Sequence, residues 1–177
     1  MFTNTVSVSA SIVVYQSPLK DIKNIITKLT KSSFKIQVYI VDNYPGGSFS
    51  SEDLNGDVIY ISSKNVGYGA GHNKAIEKVY LNDGFHFVIN PDIDFEYLVI
   101  DKMVNKMIAN SSYSLIGPSL KGLNNEQQCN TKLIPSPFNF ILRRLPSLFS
   151  NILFNNYKNN FEMDSYNKNK PLFVPYL

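Results

Sequence analysis

Cysteine, tryptophan and histidine are scarce in this chain, which has one cysteine, no tryptophan and two histidines in 177 residues. The lone Cys129 excludes an intrachain disulfide framework and is typical of a protein kept in a reducing cytoplasm. The same scarcity excludes all but carboxylate-rich zinc sites. Apolar runs fall well short of the roughly 20 residues that a membrane span needs. The first residues also lack the positively charged segment with which a signal peptide begins. We therefore expect a cytoplasmic protein.

Charge is also modest, since charged residues make up 18% of the chain and the formal net charge is +3. The lysines are scattered, so the composition does not require a nucleic acid partner. Apolar residues make up 44% of the chain, a value typical of globular proteins. Composition therefore predicts a folded domain that binds no nucleic acid.

Short apolar segments alternate with amphipathic ones over the first 117 residues. Runs rich in valine and isoleucine predict strands, and apolar residues at steps of three and four predict helices. The predicted strands are 6–15, 36–41, 58–61, 85–89 and 115–116. The predicted helices begin at Ser17 (as N-cap, with Pro18 next), at Gly69 or Gly71, and near Asp94. This alternation favours an α/β fold with a mostly parallel sheet flanked by helices.

The apolar spacing also predicts which helix positions face the sheet. For the three helices in turn these are Leu19, Ile22, Ile25, Ile26 and Leu29; Ala75, Ile76, Val79 and Tyr80; and Phe95, Leu98, Val99, Met103 and Met107. After residue 117 the strand–helix pattern decays into polar sequence, so the prediction covers the first part of the chain.

Two aspartates follow predicted strands, at the sheet edge where open α/β sheets bind ligands. The carboxylate of Asp42 can accept the N3–H of uracil or thymine, a donor that cytosine lacks; alternatively Asp42 forms a local turn with Asn43. Asp92 can hold Mg²⁺ or Mn²⁺ on a diphosphate, because one carboxylate with phosphate oxygens and water suits such a cation. Alternatively Asp92 caps the helix expected near Asp94.

The glycine-rich segment 65–73 lies between these aspartates. Its glycines can bring backbone close to a phosphate at a helix N-terminus, or they form a tight strand-to-helix turn. It follows the third strand with the wrong spacing for a dinucleotide-binding fingerprint, which disfavours a dehydrogenase. The histidines are weaker candidates: His72 could touch phosphate at this helix start, and His86, in the middle of its strand, is expected to be packed or half-exposed rather than a base.

Apolar residues keep helical spacing in the segment 138–154, which also contains Arg143 and Arg144. This pattern is typical of amphipathic helices on an anionic membrane surface. It fits equally a helix pair packed on the sheet and interrupted by Pro146, because amphipathicity does not separate a core face from a lipid face.

Taken in order, the segments 11–15, 41–43, 65–73 and 90–93 resemble bacterial family 2 glycosyltransferases of the GT-A fold. The resemblance is strongest to rhamnosyltransferase-like members, which build O-antigen or capsule polysaccharide, and it covers about the first 120 residues. It implies a Rossmann-like donor-binding half at 1–120 and a partial acceptor-side region at 121–177. It further implies inverting, metal-dependent transfer of a sugar such as rhamnose from a dTDP- or UDP-sugar to a lipid-linked glycan at the inner face of the plasma membrane.

The resemblance also implies roles for individual residues. Asp42 would bind the pyrimidine base, Asn90 would face the ribose, and Asp92 would hold Mg²⁺ or Mn²⁺ on the diphosphate. Asn90 stands where the family usually has an aspartate. The full implied donor-binding set is Val14, Tyr15, Asp42, Asn65, Gly67, Gly71, Asn73, Asn90 and Asp92.

In this family a second half supplies the acceptor wall and the carboxylate that deprotonates the acceptor hydroxyl. This chain ends at Leu177, about where that half would begin, so we expect a truncated donor half and nominate no catalytic base. One alternative is a non-catalytic nucleotide- or membrane-binding remnant. Another is a sugar nucleotidyltransferase, which would need a basic glycine-rich loop directly after the first strand, where this chain has residues 16–18 without glycine, lysine or arginine.

Overall fold

The structure is a computed structural model that describes residues 6–54, 56–79, 84–122 and 124. The chain divides into two units between Ile116 and Gly117, and the described helices and strands all lie in the first unit. The amphipathic segment 138–154, together with Cys129 and Tyr80, lies outside the described residues.

Strands and helices alternate along the first unit, as the sequence predicts. Their order is β1 (Ser7–Val14), α1 (Leu19–Thr30), β2 (Ile36–Asp42), a 3₁₀ turn (Ser51–Asp53), β3 (Val58–Ser62), α2 (Tyr68–Ile76), β4 (Gly84–Ile89) and α3 (Leu98–Ala109). The four strands form one parallel sheet in the order β3-β2-β1-β4. The predicted parallel α/β fold is confirmed, in a Rossmann-like arrangement.

The register of the strands brings their carboxyl ends to one edge of the sheet. Asp42 at the end of β2 pairs with Val14 of β1 on one side and with Ser62 of β3 on the other. On the far side of β1, Ile89 at the end of β4 pairs with Ile12. The loops that follow β1, β2, β3 and β4 therefore leave the sheet at the same edge.

One face of the sheet carries the larger apolar core. Successive side chains of a strand point to opposite faces, and every second residue of β1 joins this core together with the apolar side of α1. The cluster includes Ala10, Ile12, Val14, Ile22, Ile25, Ile26, Leu29, Val38, Ile40, Ile89 and Ile100. Burying one such isoleucine or leucine contributes about 1.5–3 kcal/mol. The predicted apolar face of α1 is thus confirmed.

The opposite face of the sheet is covered by α2. Val13, Tyr39 and Val41 pack there against Ala75. Ser9 and Ser11 of β1 share this face by alternation and are also buried. This second core is smaller and more polar than the first.

The first helix begins one residue later than predicted. Pro18 is its N-cap with an extended ψ of 125°, no side chain caps it, and Leu19 is the first helical residue. The Pro18 carbonyl accepts the backbone N–H groups of Asp21 and Ile22. The prediction of Ser17 as the N-cap was wrong, because Pro18 fixes only its own φ and its ψ remains outside the helical region.

The predicted faces of the later helices need correction as well. In α2, which begins at Tyr68, the buried residues are Gly71, His72 and Ala75, and Ile76 is exposed. In α3 the buried residues are Ile100 and Val104, whereas Leu98 is exposed. Ala75 is buried as predicted, and Val79 and Phe95 pack against the two cores. Apolar spacing misplaced Ile76 and Leu98, because a glycine and a histidine occupy the inner side of α2 and α3 begins later than expected.

The predicted fifth strand is absent from the described residues, since Leu115 and Ile116 have no strand pairing. Leu115 is exposed there, with a relative accessibility of 61%. Two apolar residues are too few to specify a strand without a neighbour to pair with. Within the described residues, no helix has both the length and the apolar character that crossing a bilayer requires.

Candidate functional site

Side chains from three separate segments meet at the carboxyl edge of the sheet. Asn43, directly after β2, donates from Nδ2 to the carbonyl of Gly67 at 3.0 Å. Tyr68, the first residue of α2, donates its hydroxyl hydrogen to Oδ1 of Asn90, which follows β4. The glycine-rich segment is therefore hydrogen-bonded to the residues that follow two strands, β2 and β4.

Asp92 is exposed at this edge and lies near Tyr68. Partial burial raises the pKa of Tyr68 above its ordinary value of 10.0, and the negative charge of Asp92 raises it further. The phenol is therefore protonated at neutral pH and can donate to Asn90. The alternative that Asp92 caps a helix is wrong, because α3 begins at Leu98 with Tyr97 as its N-cap.

Asp42 is fully buried and its carboxylate is saturated with hydrogen bonds. It accepts from the backbone N–H groups of Tyr44 and Ser48, from the Ser48 hydroxyl at 2.9 Å, and from the Tyr60 hydroxyl at 2.7 Å. Burial, followed by this hydrogen bond from Tyr60 to Asp42, raises the pKa of Tyr60 well above 10.0. Asp42 thus forms the local turn that the sequence offered as an alternative. The contact of Asp42 with a nucleotide base stays a prediction. That contact requires one of the present hydrogen-bond donors to move away from the carboxylate.

The glycines of the segment 65–73 serve different purposes. Gly67 caps α2 with a φ of 87°, a left-handed conformation that favours glycine. Gly71 is buried, and a Cβ there would lie 2.9 Å from Cγ2 of Val13 and 3.2 Å from Nδ2 of Asn43. Around Gly69, by contrast, a Cβ would meet no atom within 4 Å. Packing therefore explains Gly71, and the open helix start lies at Gly67 and Gly69.

Tyr15 stands at the end of β1 with half of its side chain exposed, and its ring lies edge-on to that of Tyr44 with centroids 5.4 Å apart. Its neighbour Val14 is buried in the larger core and contributes only its carbonyl, which accepts the Asn43 N–H. An aromatic surface is thus available at this edge through Tyr15.

The two remaining asparagines of the predicted site differ in their contacts. Asn65 accepts the Gly67 N–H on its side-chain oxygen at 3.1 Å and so supports the start of α2. Asn73 is exposed one turn into α2. Of the two side chains, that of Asn65 is the one hydrogen-bonded to the helix start, so Asn65 helps to hold the loop in its conformation.

A cluster of buried and partly buried serine and histidine side chains lies behind the helix start, and sequence reasoning missed it. Ser9 Oγ lies 2.7 Å from Nδ1 of His86, and Ser11 Oγ lies 2.7 Å from both His86 Nε2 and His72 Nδ1. Burial, and then the nearby His86, lower the pKa of His72 to about 4. Burial also lowers the pKa of His86. The sequence signal was a run of three serines at alternate positions of an otherwise apolar strand, Ser7, Ser9 and Ser11, of which the last two contact the histidines.

His72 connects this cluster to the site. Its ring meets the Tyr68 ring edge-on, with centroids 4.5 Å apart. Its Nε2 atom is buried, and within the described residues it has no hydrogen-bond partner; the same holds for Oδ1 of Asn43. Because His72 is buried, a direct contact between its ring and a phosphate would require the helix start to open.

A divalent cation would find one carboxylate ligand here. Among the described residues, no three histidine, cysteine, aspartate or glutamate side chains form a metal cluster. Asp92 offers an exposed carboxylate, whereas Oδ1 of Asn90 is already occupied by the Tyr68 hydroxyl. This donor set fits Mg²⁺ or Mn²⁺ held by one carboxylate with phosphate oxygens and water, and does not fit an all-protein cage.

Comparison of the chain with protein-family models, curated proteins and solved structures found no match. The class that the fold defines is an α/β protein with a Rossmann-like parallel sheet. Any finer assignment depends on the residues at the carboxyl edge.

Proposed function

We propose that this chain binds the nucleotide of a dTDP- or UDP-sugar at the carboxyl edge of its sheet, as the donor-binding part of a GT-A glycosyltransferase. The reaction would be the inverting, metal-dependent transfer of a sugar such as rhamnose to a lipid-linked glycan acceptor. One observation carries the proposal: the Tyr68–Asn90 hydrogen bond joins the glycine-rich helix start to the strand end that bears Asp92.

The helix start supplies a site for the diphosphate. The first N–H groups of a helix have no intrahelical acceptor, and the helix dipole favours negative charge at this end. Gly67 and Gly69 leave open space beside these groups, so phosphate oxygens can approach the backbone. A sugar diphosphate is therefore a suitable ligand for this edge.

Asp92 would hold Mg²⁺ or Mn²⁺ against that diphosphate. The bound cation would neutralise charge that develops on the departing nucleoside diphosphate. The residues of this chain bind and orient the donor, with Asp92 as the metal ligand and the start of α2 as the anion site.

The base would lie against Tyr15, whose half-exposed ring offers a stacking surface. Selection of uracil or thymine over cytosine would come from Asp42, which can accept the N3–H of the former bases. For that contact the Ser48 hydroxyl must turn away from the carboxylate that it now contacts at 2.9 Å. Loop 43–48 is then the part of the site that adapts to the base.

Calorimetric titration of the chain with dTDP, UDP, CDP and GDP, each with and without Mn²⁺, tests the proposal. We expect metal-dependent binding of dTDP and UDP, weaker binding of CDP and GDP, and at least a tenfold loss of affinity in Asp92→Asn. The isosteric change leaves the exposed surface intact, so the loss would report the metal site rather than folding.

Asp57→Asn, which alters an exposed aspartate before β3, is the matched control and should leave the affinity unchanged. Binding that ignores Mn²⁺, or that survives Asp92→Asn, would contradict the proposal. Metal-dependent nucleotide binding without sugar transfer would support the donor site and restrict the chain to a non-catalytic role.

A further inference from the structure

The segment that carries Asp92 connects β4 to α3 and is held in place by side chains. Among the described residues, no backbone group of residues 91–95 is hydrogen-bonded to another backbone group. Ile93 and Phe95 pack against the larger core on the inner side of this segment. Asp92 and Asp94 alternate with them and are exposed. The orientation of Asp92 therefore depends on what anchors its neighbours.

Asp94 is the point at which the Asp92 segment is hydrogen-bonded to helix α1. Its Oδ1 atom accepts hydrogen bonds from Nζ of Lys28 and, at 3.2 Å, from Nδ2 of Asn24. These two donors are one turn apart on α1, so they lie on one side of the helix. Nζ of Lys28 also lies 5.7 Å from the centroid of the Phe95 ring, within the range of a cation–π contact. Helix α1 thus anchors two successive residues of the Asp92 segment.

The contacts of Asp94 restrain the segment locally more than they stabilise the fold. The ion pair of Lys28 and Asp94 is open to water on the carboxylate side, and exposed pairs of this kind contribute little to folding. A tether on Asp94, however, limits the backbone rotations of the residues before it, while Ile93 is held against the core. The carboxylate of Asp92 then has less freedom to lose when it takes up a cation, which strengthens binding.

On the basis of the proposed function, we propose that Lys28 and Asn24 are positioning residues for the metal ligand Asp92. Both hold Asp94, and through the backbone they keep the Asp92 carboxylate oriented for Mg²⁺ or Mn²⁺ at the carboxyl edge. Neither side chain needs to contact the cation or the nucleotide. The side of α1 that carries these two residues is thereby a supporting part of the donor site.

A role of Lys28 through its charge would have the opposite effect. A positive charge close to a cation site opposes the cation, so charge alone predicts that Lys28→Met binds Mn²⁺ more tightly. The double variant Lys28→Met with Asp94→Ala removes one charge of each sign and so keeps the net charge. It also breaks the contacts with α1, and it therefore separates positioning from charge.

Nuclear magnetic resonance of the full chain tests the proposal. Relaxation of ¹⁵N nuclei in the metal-free protein gives order parameters for residues 92–95. Titration with Mn²⁺ alone gives a dissociation constant from the paramagnetic broadening of the same signals, and Asp92→Asn, which should abolish the broadening, identifies the site. In the double variant we expect lower order parameters at residues 92–95 and unchanged ones in α1. We also expect the dissociation constant for Mn²⁺ to rise about twofold to fivefold, the effect of one exposed polar contact.

Lys20→Met with Asp57→Ala is the matched control, because it removes the same two charges from exposed positions outside the Asp92 segment. It should match wild type in both measurements. Lys28→Arg keeps a charged donor for Asp94 and should do the same.

Order parameters at residues 92–95 that stay at wild-type values in the double variant would overturn the proposal. So would lower order with an unchanged or lower dissociation constant for Mn²⁺, since the contacts would then be structural only. If wild type binds Mn²⁺ at Asp92 and the double variant binds it more weakly, the proposal stands even where dTDP and UDP fail to bind, and the proposed function fails alone. A wild type in which Mn²⁺ broadens no signal beside Asp92 would overturn both.

Discussion

Asp42 and Asp92 both follow a strand, yet their surroundings differ. Asp42 is fully buried and accepts hydrogen bonds from the turn and from Tyr60. Asp92 is exposed and influences Tyr68 through its charge. A buried carboxylate needs such donors because an unpaired buried charge is costly, whereas an exposed one is available to a cation. The same residue type therefore shapes the loop at one position and can bind a ligand at the other.

The buried histidine His72 predicts how stability depends on pH. Its pKa falls from the ordinary 6.5 to about 4 in the folded chain, so the unfolded chain binds more protons between these values. Stability is therefore fully present above pH about 6.5 and is lost as the pH falls toward about 4. Urea unfolding at several pH values should show this decline.

The variant His72→Gln, which does not titrate in this range, should show a shallower decline than wild type, even if it is less stable throughout. This loss of stability can be separated from the one that protonation of Asp94 causes. A hydrogen bond from Lys28 lowers the pKa of Asp94 below its ordinary 3.8, so Asp94 affects stability only at more acid pH. An unchanged slope in His72→Gln would contradict a buried neutral His72.

At the scale of elements, the approach of α2 to the sheet depends on one small residue. Gly71 faces Val13 of β1 and the amide of Asn43, with no room for a methyl group. Because Asn43 in turn contacts Gly67, this close approach also determines where the helix start meets the strand ends. The packing of α2 and the geometry of the site are therefore linked.

The substitutions Gly71→Ala and Gly69→Ala should have opposite effects. A Cβ at position 71 would lie 2.9 Å and 3.0 Å from the two methyl groups of Val13, so we expect destabilisation by about 1–3 kcal/mol. At position 69 the space is open, and alanine should stabilise the helix by about 0.5–1 kcal/mol.

Urea unfolding midpoints of the two variants and wild type check this pair, with each glycine serving as the control for the other. If Gly71→Ala were as stable as Gly69→Ala, the close contact between α2 and β1 would be disproved. A loss of nucleotide binding confined to Gly71→Ala would in addition link that contact to the site.

At the scale of the whole molecule, the centre of the sheet is its most enclosed part. β1 pairs with both β2 and β4, and its residues from Val8 to Val14 are buried. β3 pairs with β2 alone among the described strands, and its side chains are only partly buried. The strands should therefore differ in how readily they open.

Amide hydrogen exchange should be slowest in β1 and β2 and faster in β3, because local opening needs less free energy where fewer apolar contacts are broken. Mass spectrometry of peptides covering residues 7–14, 36–42 and 58–62 measures this directly. The helix α1, which is buried along its apolar side, provides an internal reference. Equal protection in β3 and β1 would argue against the central position of β1.

The sequence by itself determined the four strands of the sheet and which face of α1 is buried. Strand-forming runs and the spacing of Ile22, Ile25, Ile26 and Leu29 report local periodicity, and a parallel α/β sheet follows from their alternation. From that sheet it also follows that Asp42 and the segment 90–92 leave it at one edge. These inferences hold because they need only neighbouring residues and general rules of chain connection.

Only the tertiary structure decided the contacts within that edge. Tyr68 and Asn90 are 22 residues apart and Ser11 and His72 are 61 apart, and no local pattern specifies such pairs. Likewise Asp42 is saturated by Ser48 and Tyr60, whose hydroxyls reach it only because the loop folds back and β3 pairs with β2. Periodicity reports which side of an element is apolar, whereas the partners of a polar side chain depend on how separate elements pack.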